Sequence, residues 1–80
     1  MNVRERLGAN VRRLREAAGY SQEAFGHMAD IHRTYVSDVE RGRRNPTIDV
    51  VEKFASALKV RTGSLLDTPA ELDAGKQVDG

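Results

Sequence analysis

Residues 21–42 read SQEAFGHMADIHRTYVSDVERG, and the spacing of their apolar positions decides the architecture. Phe25, Met28 and Ala29 share one side of a helical pattern running from about Gln22 to Ala29. Ser21 precedes it as a strong N-cap. Asp30 and Ile31 then break the period, and Asp is among the few non-glycine residues that tolerate a left-handed backbone, so a turn of three or four residues is expected. A second helix, about Arg33 to Arg41, turns Val36 and Val39 inward. Arg33, Thr34, Ser37, Asp38 and Arg41 lie on its opposite side, with Tyr35 at the margin, and Gly42 stops it. Gly26 sits in the middle of the first of these helices, where it costs about 1 kcal/mol relative to Ala. It is either a neutral small residue or the mark of a second helix crossing too close for a Cβ.

Upstream, Val3, Leu7, Val11, Leu14 and Ala18 form the stripe of an amphipathic helix, with Arg4, Arg12 and Arg13 outside it. Gly19 supplies its left-handed end. Downstream, Arg43, Arg44, Asn45 and Pro46 make a basic loop that Pro46 keeps from continuing as helix. Thr47 caps a further helix, roughly Ile48 to Val60, carrying Ile48, Val51, Phe54, Ala55 and Leu58 inward, with Asp49 favouring the dipole in its first turn. A short turn from about Thr62 to Leu66 presents Leu65 and Leu66, and Pro69 ends it. The class is all-α, a compact bundle of five short helices without a strand. One domain is expected over 1–67, followed by an acidic, mobile tail at 68–80 with too little apolar surface to offset ordering.

Eighty residues with 39% apolar content bound a single small core. Without cysteine, packing alone must hold it, which suits a cytosol. No apolar run approaches the ~18 residues of a membrane span, and the N-terminus has no apolar signal region, so a soluble cytoplasmic chain is expected. The formal charge of +1 hides an asymmetry: residues 1–66 hold 12 Lys/Arg against 8 Asp/Glu, and residues 67–80 hold 1 against 4. Ten of the 13 basic residues are Arg, whose planar fork suits phosphate and guanine edges.

Catalytic options thin quickly. His27 and His32 are separated by the turn, with no Glu or Cys placed to complete a metal shell. No glycine-rich loop follows a strand, and Ser21, Ser37, Ser56 and Ser64 have no paired base. No enzyme, cofactor or metal site is expected. What remains is two helices across a tight turn, with Phe25, Ala29, Ile31, Val36 and Val39 fixing one across the other: helix-turn-helix geometry, supported by Gly26, by the polar face of the second helix and by the arginine loop after it.

The segment SQEAFGHMADIHRTYVSDVERGRRNPTIDVVEKFASAL resembles the phage Cro and repressor (XRE) helix-turn-helix family of DNA-binding transcriptional regulators, over about residues 3–67. The set LRE before Gly19, SQE, ERG and RNPT carries the likeness; RTYVS followed by ERGRRNPTI is most similar to restriction-modification controller proteins. The resemblance implies a lambda-repressor-like domain whose recognition helix reads base edges in the major groove of double-stranded DNA. Arg33 then reads guanine, and Thr34 and Ser37 hydrogen-bond to bases. Asp38 accepts from cytosine N4 or orients Arg33, or else sits in an intrahelical ion pair. Phosphate contacts fall to Gln22 at a helix N-terminus, to Arg41, Arg43, Arg44 and Asn45, and to the hydroxyl of Tyr35, which is as easily half core. The resemblance also makes Arg15 and Glu40 a partly buried structural ion pair. A reader this short implies a homodimer on a pseudo-palindromic operator, through Leu65, Leu66 and exposed parts of the fourth helix, unless the two leucines close the monomer core. RNA polymerase is a further expected partner. The alternative is a DNA-binding antitoxin whose acidic tail holds a toxin protein; an interaction bundle with a vestigial motif is a third reading. The chain departs from the family at Asp30, where Gly is usual, at His32, where a capping Asp, Ser or Thr is usual, and at Arg61, where Ser is usual. Because His is a poor cap, a loosely fixed start of the recognition helix is expected.

Overall fold

A computed structural model of the protein describes residues 1–68. The acidic segment expected at 68–80 therefore lies outside the described residues, Thr68 excepted. Among these residues the chain forms α1 (Val3–Ala17), α2 (Gln22–Ala29), α3 (Arg33–Glu40), α4 (Ile48–Leu58) and a closing 3₁₀ helix (Thr62–Leu66). The expected five-helix bundle is thus four α-helices. The fifth element has only five residues, receives no side-chain cap from Arg61 and is tightened by a bond from the Ser64 N–H to the Arg61 carbonyl at 3.0 Å. No helix in this region is long and apolar enough to cross a membrane.

Local chemistry sets the boundaries. Asn2 and Glu5 form a reciprocal capping box at the start of α1, each backbone N–H donating to the other's side chain at 2.9 Å. Ser21 Oγ accepts from the Ala24 N–H, and Thr47 Oγ1 from the Val50 N–H. Each C-terminus ends in the same paired motif. After α1 the Gly19 N–H donates to the Glu16 carbonyl and the Tyr20 N–H to the Arg15 carbonyl; after α3 Gly42 and Arg43 do the same to Val39 and Asp38. The motif requires a left-handed residue, supplied by Gly19 and Gly42, and at φ 58° and 59° by Asp30 and Lys59. Asp30 therefore fulfils the role that glycine would have in the turn. Lys59 turning left-handed is why α4 stops at Leu58 rather than Val60.

The core joins Leu7 and Val11 of α1, Phe25 and Ala29 of α2, Val36 and Val39 of α3, Val51, Phe54 and Ala55 of α4, and Leu65. The Phe25 and Phe54 rings stack with centroids 5.7 Å apart, and burying each contributes about 1.5–3 kcal/mol. Four stripe positions do not reach it, the exposed Ala18 just past the end of α1 among them. Met28 is 45% exposed, Ile48 at the first position of α4 is 81% exposed, and Val3 opens α1 beyond its neighbours' reach.

Two tertiary approaches join segments far apart in the sequence. A Cβ on Gly8 would collide with the Val39 carbonyl oxygen and lie 2.8 Å from that of Glu40, so α1 crosses the end of α3 backbone to backbone. Asn10, completely buried, donates from Nδ2 to the Leu65 carbonyl at 3.0 Å and to the Asp67 carbonyl, clamping the 3₁₀ helix on α1. Gly26 is also a close approach, to the turn and to the first residue of α3. An added Cβ would lie 2.5 Å from the Ile31 carbonyl oxygen and 3.4 Å from the Arg33 nitrogen.

Gly8→Ala is expected to destabilise the chain by about 3 kcal/mol and to lower its melting temperature by on the order of 10 °C. Gly63→Ala, whose added methyl meets nothing within 4 Å, should move it by less than about 3 °C. Thermal melts followed by circular dichroism check the pair, and similar small shifts in both would contradict the close crossing.

Candidate nucleic-acid interface

The position of α3 is set at both ends. At its start His32 is the N-cap, and its Nδ1 accepts the Thr34 N–H at 3.1 Å. The imidazole acts as an Asp or Ser would, so the expected loose start is corrected: neutral histidine has one acceptor nitrogen, and the N-cap backbone aims it at the free N–H groups. At its end Gly42, at φ 72°, reverses the chain into the basic loop.

A buried polar network anchors the C-terminal half. Arg15 Nε donates to Glu40 Oε2 at 2.7 Å and Nη2 to Glu40 Oε1 at 3.0 Å, a two-pronged contact between side chains only 9% and 4% exposed. Arg15 Nη1 donates to the Tyr20 carbonyl at 2.7 Å, and Gln22 Nε2 adds a third donor to Glu40, on Oε1 at 3.1 Å. Hydrogen bonding to Glu40 raises the Arg15 pKa above its already high ordinary value, against the opposing effect of burial. Arg15 and Glu40, paired by resemblance, are brought together. The side-chain amide of Gln22, expected at phosphate, donates to Glu40 in this structure.

The opposite side of α3 faces outward. Arg33, Thr34 and Arg41 are exposed, and Ser37 and Asp38 are half-buried. Asp38 neither orients Arg33 nor pairs within its helix. Its Oδ2 receives Arg44 Nε at 3.3 Å from the following loop. The Arg44 guanidinium also lies 4.8 Å above the centroid of the half-buried Tyr35 ring. Arg43 and Asn45 are exposed beside it. Four arginines, at 33, 41, 43 and 44, thus border one polar helix face whose only carboxylate is already paired.

Leu65 and Leu66 part company. Leu65 is fully buried in the chain's own core, so it cannot also present itself to a second copy, whereas Leu66 is 38% exposed. Within the described region no group of three or more His, Cys, Asp or Glu side chains is placed to hold a metal ion. The residues that sequence reading missed are Gly8 and Asn10, together with the capping role of His32 and the Glu40 partnership of Gln22. Gly8 carried a usable signal, a glycine beside the apolar stripe of a helix, the same that singled out Gly26.

Helices crossed over a three-residue turn, with an exposed polar second helix, define a helix-turn-helix protein. A family model described as helix-turn-helix matches residues 11–65, and the chain belongs to that family of DNA-binding transcriptional regulators. It is 45% identical over 67 residues to the control protein C.BamHI of Bacillus amyloliquefaciens, covering 82% of this chain and 83% of that one. Its fold matches the crystal structure of the restriction-modification controller protein C.AhdI from Aeromonas hydrophila with a TM-score of 0.74 at 37% identity, over 78% of this chain and 94% of that one. It also matches the master regulator for biofilm formation SinR in complex with DNA, with a TM-score of 0.73 at 32% identity, over 76% of this chain and 98% of that one.

Arg15→Ala strands Glu40 in a nearly dry site and should cost about 3–5 kcal/mol, a drop in melting temperature of on the order of 15 °C. Arg12→Ala removes only the exposed pair with Glu16 and should leave the melt within about 2 °C. A melting curve unchanged by Arg15→Ala would contradict the anchoring role.

Proposed function

We propose that the chain regulates transcription as a homodimer on a pseudo-palindromic operator, in the manner of a restriction-modification controller protein, with residues 1–67 as the DNA-binding domain. The observation that carries this reading is the free outer face of α3, with exposed Arg33 and Thr34 at its N-terminal end and an arginine loop directly after it. A helix docked by its N-terminal residues places Arg33 against base edges, where its fork spans guanine O6 and N7. Thr34 and Ser37 supply hydroxyls along the same groove. Arg41, Arg43, Arg44, Asn45 and the Tyr35 hydroxyl meet the flanking backbone, holding register without reading sequence.

An eight-residue helix spans few base pairs, so a unique site needs two copies on half-sites about 34 Å apart or a multiple of that. Leu66 and the exposed side of α4, Ile48 included, are the surfaces proposed for dimer contact. Such a dimer regulates by competing with or recruiting RNA polymerase. The similarity to control proteins supports the controller role, and it does not favour the antitoxin alternative.

Selection of bound duplexes from a random pool should return a palindromic consensus, and sedimentation of the complex should give two chains per duplex. Affinity should fall steeply with salt, with a log–log slope of about −0.9 per neutralised phosphate. On the selected duplex Arg33→Ala should cost about 1–3 kcal/mol and relax preference at one position of each half-site, whereas Arg43→Ala should weaken binding to all sequences alike. No consensus together with a flat salt slope would overturn the reading.

A further inference from the structure

Asp38 and Arg44 hold an arrangement that neither base reading nor phosphate contact by itself explains. A carboxylate on a helix face meant for a polyanion repels every sequence equally, and here it is bound to one of the four arginines bordering that face. Arg44 reaches back six positions from the loop to make the pair, and its guanidinium lies 4.8 Å over the Tyr35 ring. Among the described residues only its Nε is taken, by Asp38, and both Nη groups are left without a hydrogen-bond partner. The loop backbone is anchored beside the pair, because the Arg43 N–H is itself held by the Asp38 backbone carbonyl at 2.9 Å.

We infer that Asp38 is a specificity-determining residue acting through Arg44: it positions that guanidinium on the Tyr35 ring for one backbone contact and cancels its charge toward DNA in general. The inference rests on the DNA-binding reading above. Binding to arbitrary sequence is almost wholly electrostatic and scales with the phosphates neutralised, so a charge withheld from the face weakens arbitrary binding. On the correct site the held Arg44 still makes its backbone contact, so the loss falls mainly on arbitrary duplexes and the ratio between correct and arbitrary duplexes rises. Discrimination of this kind comes from a repulsive element placed against the wrong partner.

The test compares the full chain with Asp38→Asn, Arg44→Gln and the double variant on two duplexes, the one recovered by selection and a scrambled duplex of equal length, across a salt series. Asp38→Asn should bind the scrambled duplex about fivefold more tightly at 0.1 M salt, with a slope steeper by about 0.9, and the selected-to-scrambled ratio should fall by a similar factor. In the Arg44→Gln background the same substitution should produce less than half of that gain. A thermal melt of Asp38→Asn guards against misfolding, since the backbone carbonyl of residue 38 still receives the Arg43 N–H. Unchanged scrambled-duplex affinity in Asp38→Asn overturns the inference, as does a loss confined to one base position, which would make Asp38 a cytosine reader. An equal gain with and without Arg44 removes the coupling. If the unaltered chain bound neither duplex with a salt dependence, the DNA-binding reading would fail first, a result none of these arms imitates.

Discussion

Glu40 accepts three hydrogen bonds in a nearly dry site, and the geometry of the outer face follows from that carboxylate. Its donors are Arg15 from the end of α1, twice, and Gln22 from the start of α2, while Arg15 also holds the Tyr20 carbonyl in the joint between those helices. Two helices and the joint between them therefore converge on the last residue of α3. Removing both charges from water costs several kcal/mol per ion, so the pair persists only because its strongest donors and acceptors are met. Gly8 makes this possible from the other side. Without a Cβ it lets the α1 backbone lie against the Val39 and Glu40 carbonyls, close enough for Arg15, two turns on, to reach the carboxylate in a planar, two-pronged geometry.

That anchoring decides what the rest of α3 does. Val36 and Val39 bind it to the core through one side, and the fixed Glu40 prevents rotation about the axis, so Arg33, Thr34, Ser37 and Asp38 are turned outward by the same residues that stabilise the fold. Apolar contacts alone would tolerate sliding of a two-valine helix. The directional network does not.

The elements were legible because their signals are local. Ser21, Thr47, Gly19 and Gly42 each act on backbone groups within a few residues, and each does in the structure what its type and place imply. The left-handed turn at Asp30 was legible for the same reason. What periodicity misjudged lies where a stripe runs past its partner: Met28 and Ile48 keep the helical spacing, but the first is left about half exposed and the second mostly so. Closing contacts between distant segments were invisible. Asn10 looks like a solvated polar residue until the carbonyls of Leu65 and Asp67 arrive more than fifty positions later. In the site, the residue types of the outer face could be read from sequence, while their pairings could not, since Gln22 with Glu40 and Asp38 with Arg44 depend on how a loop and a helix end return. The poor statistical standing of His as a cap concealed that one neutral nitrogen suffices when the backbone aims it.

Rigidity of α3 has an energetic meaning for recognition. A short helix that had to be ordered on contact would spend binding energy on its own backbone, at roughly 1–2 kcal/mol per residue. Capped by His32 at its first turn, locked by Glu40 at its last and returned by Gly42 into the loop, α3 meets a groove already shaped. The arginines of the following loop and the outward side chains of α3 share one frame. A shift at Glu40 would therefore displace loop and helix together, and under the proposed function backbone contacts fix the register of base contacts only if the two sets move as one body.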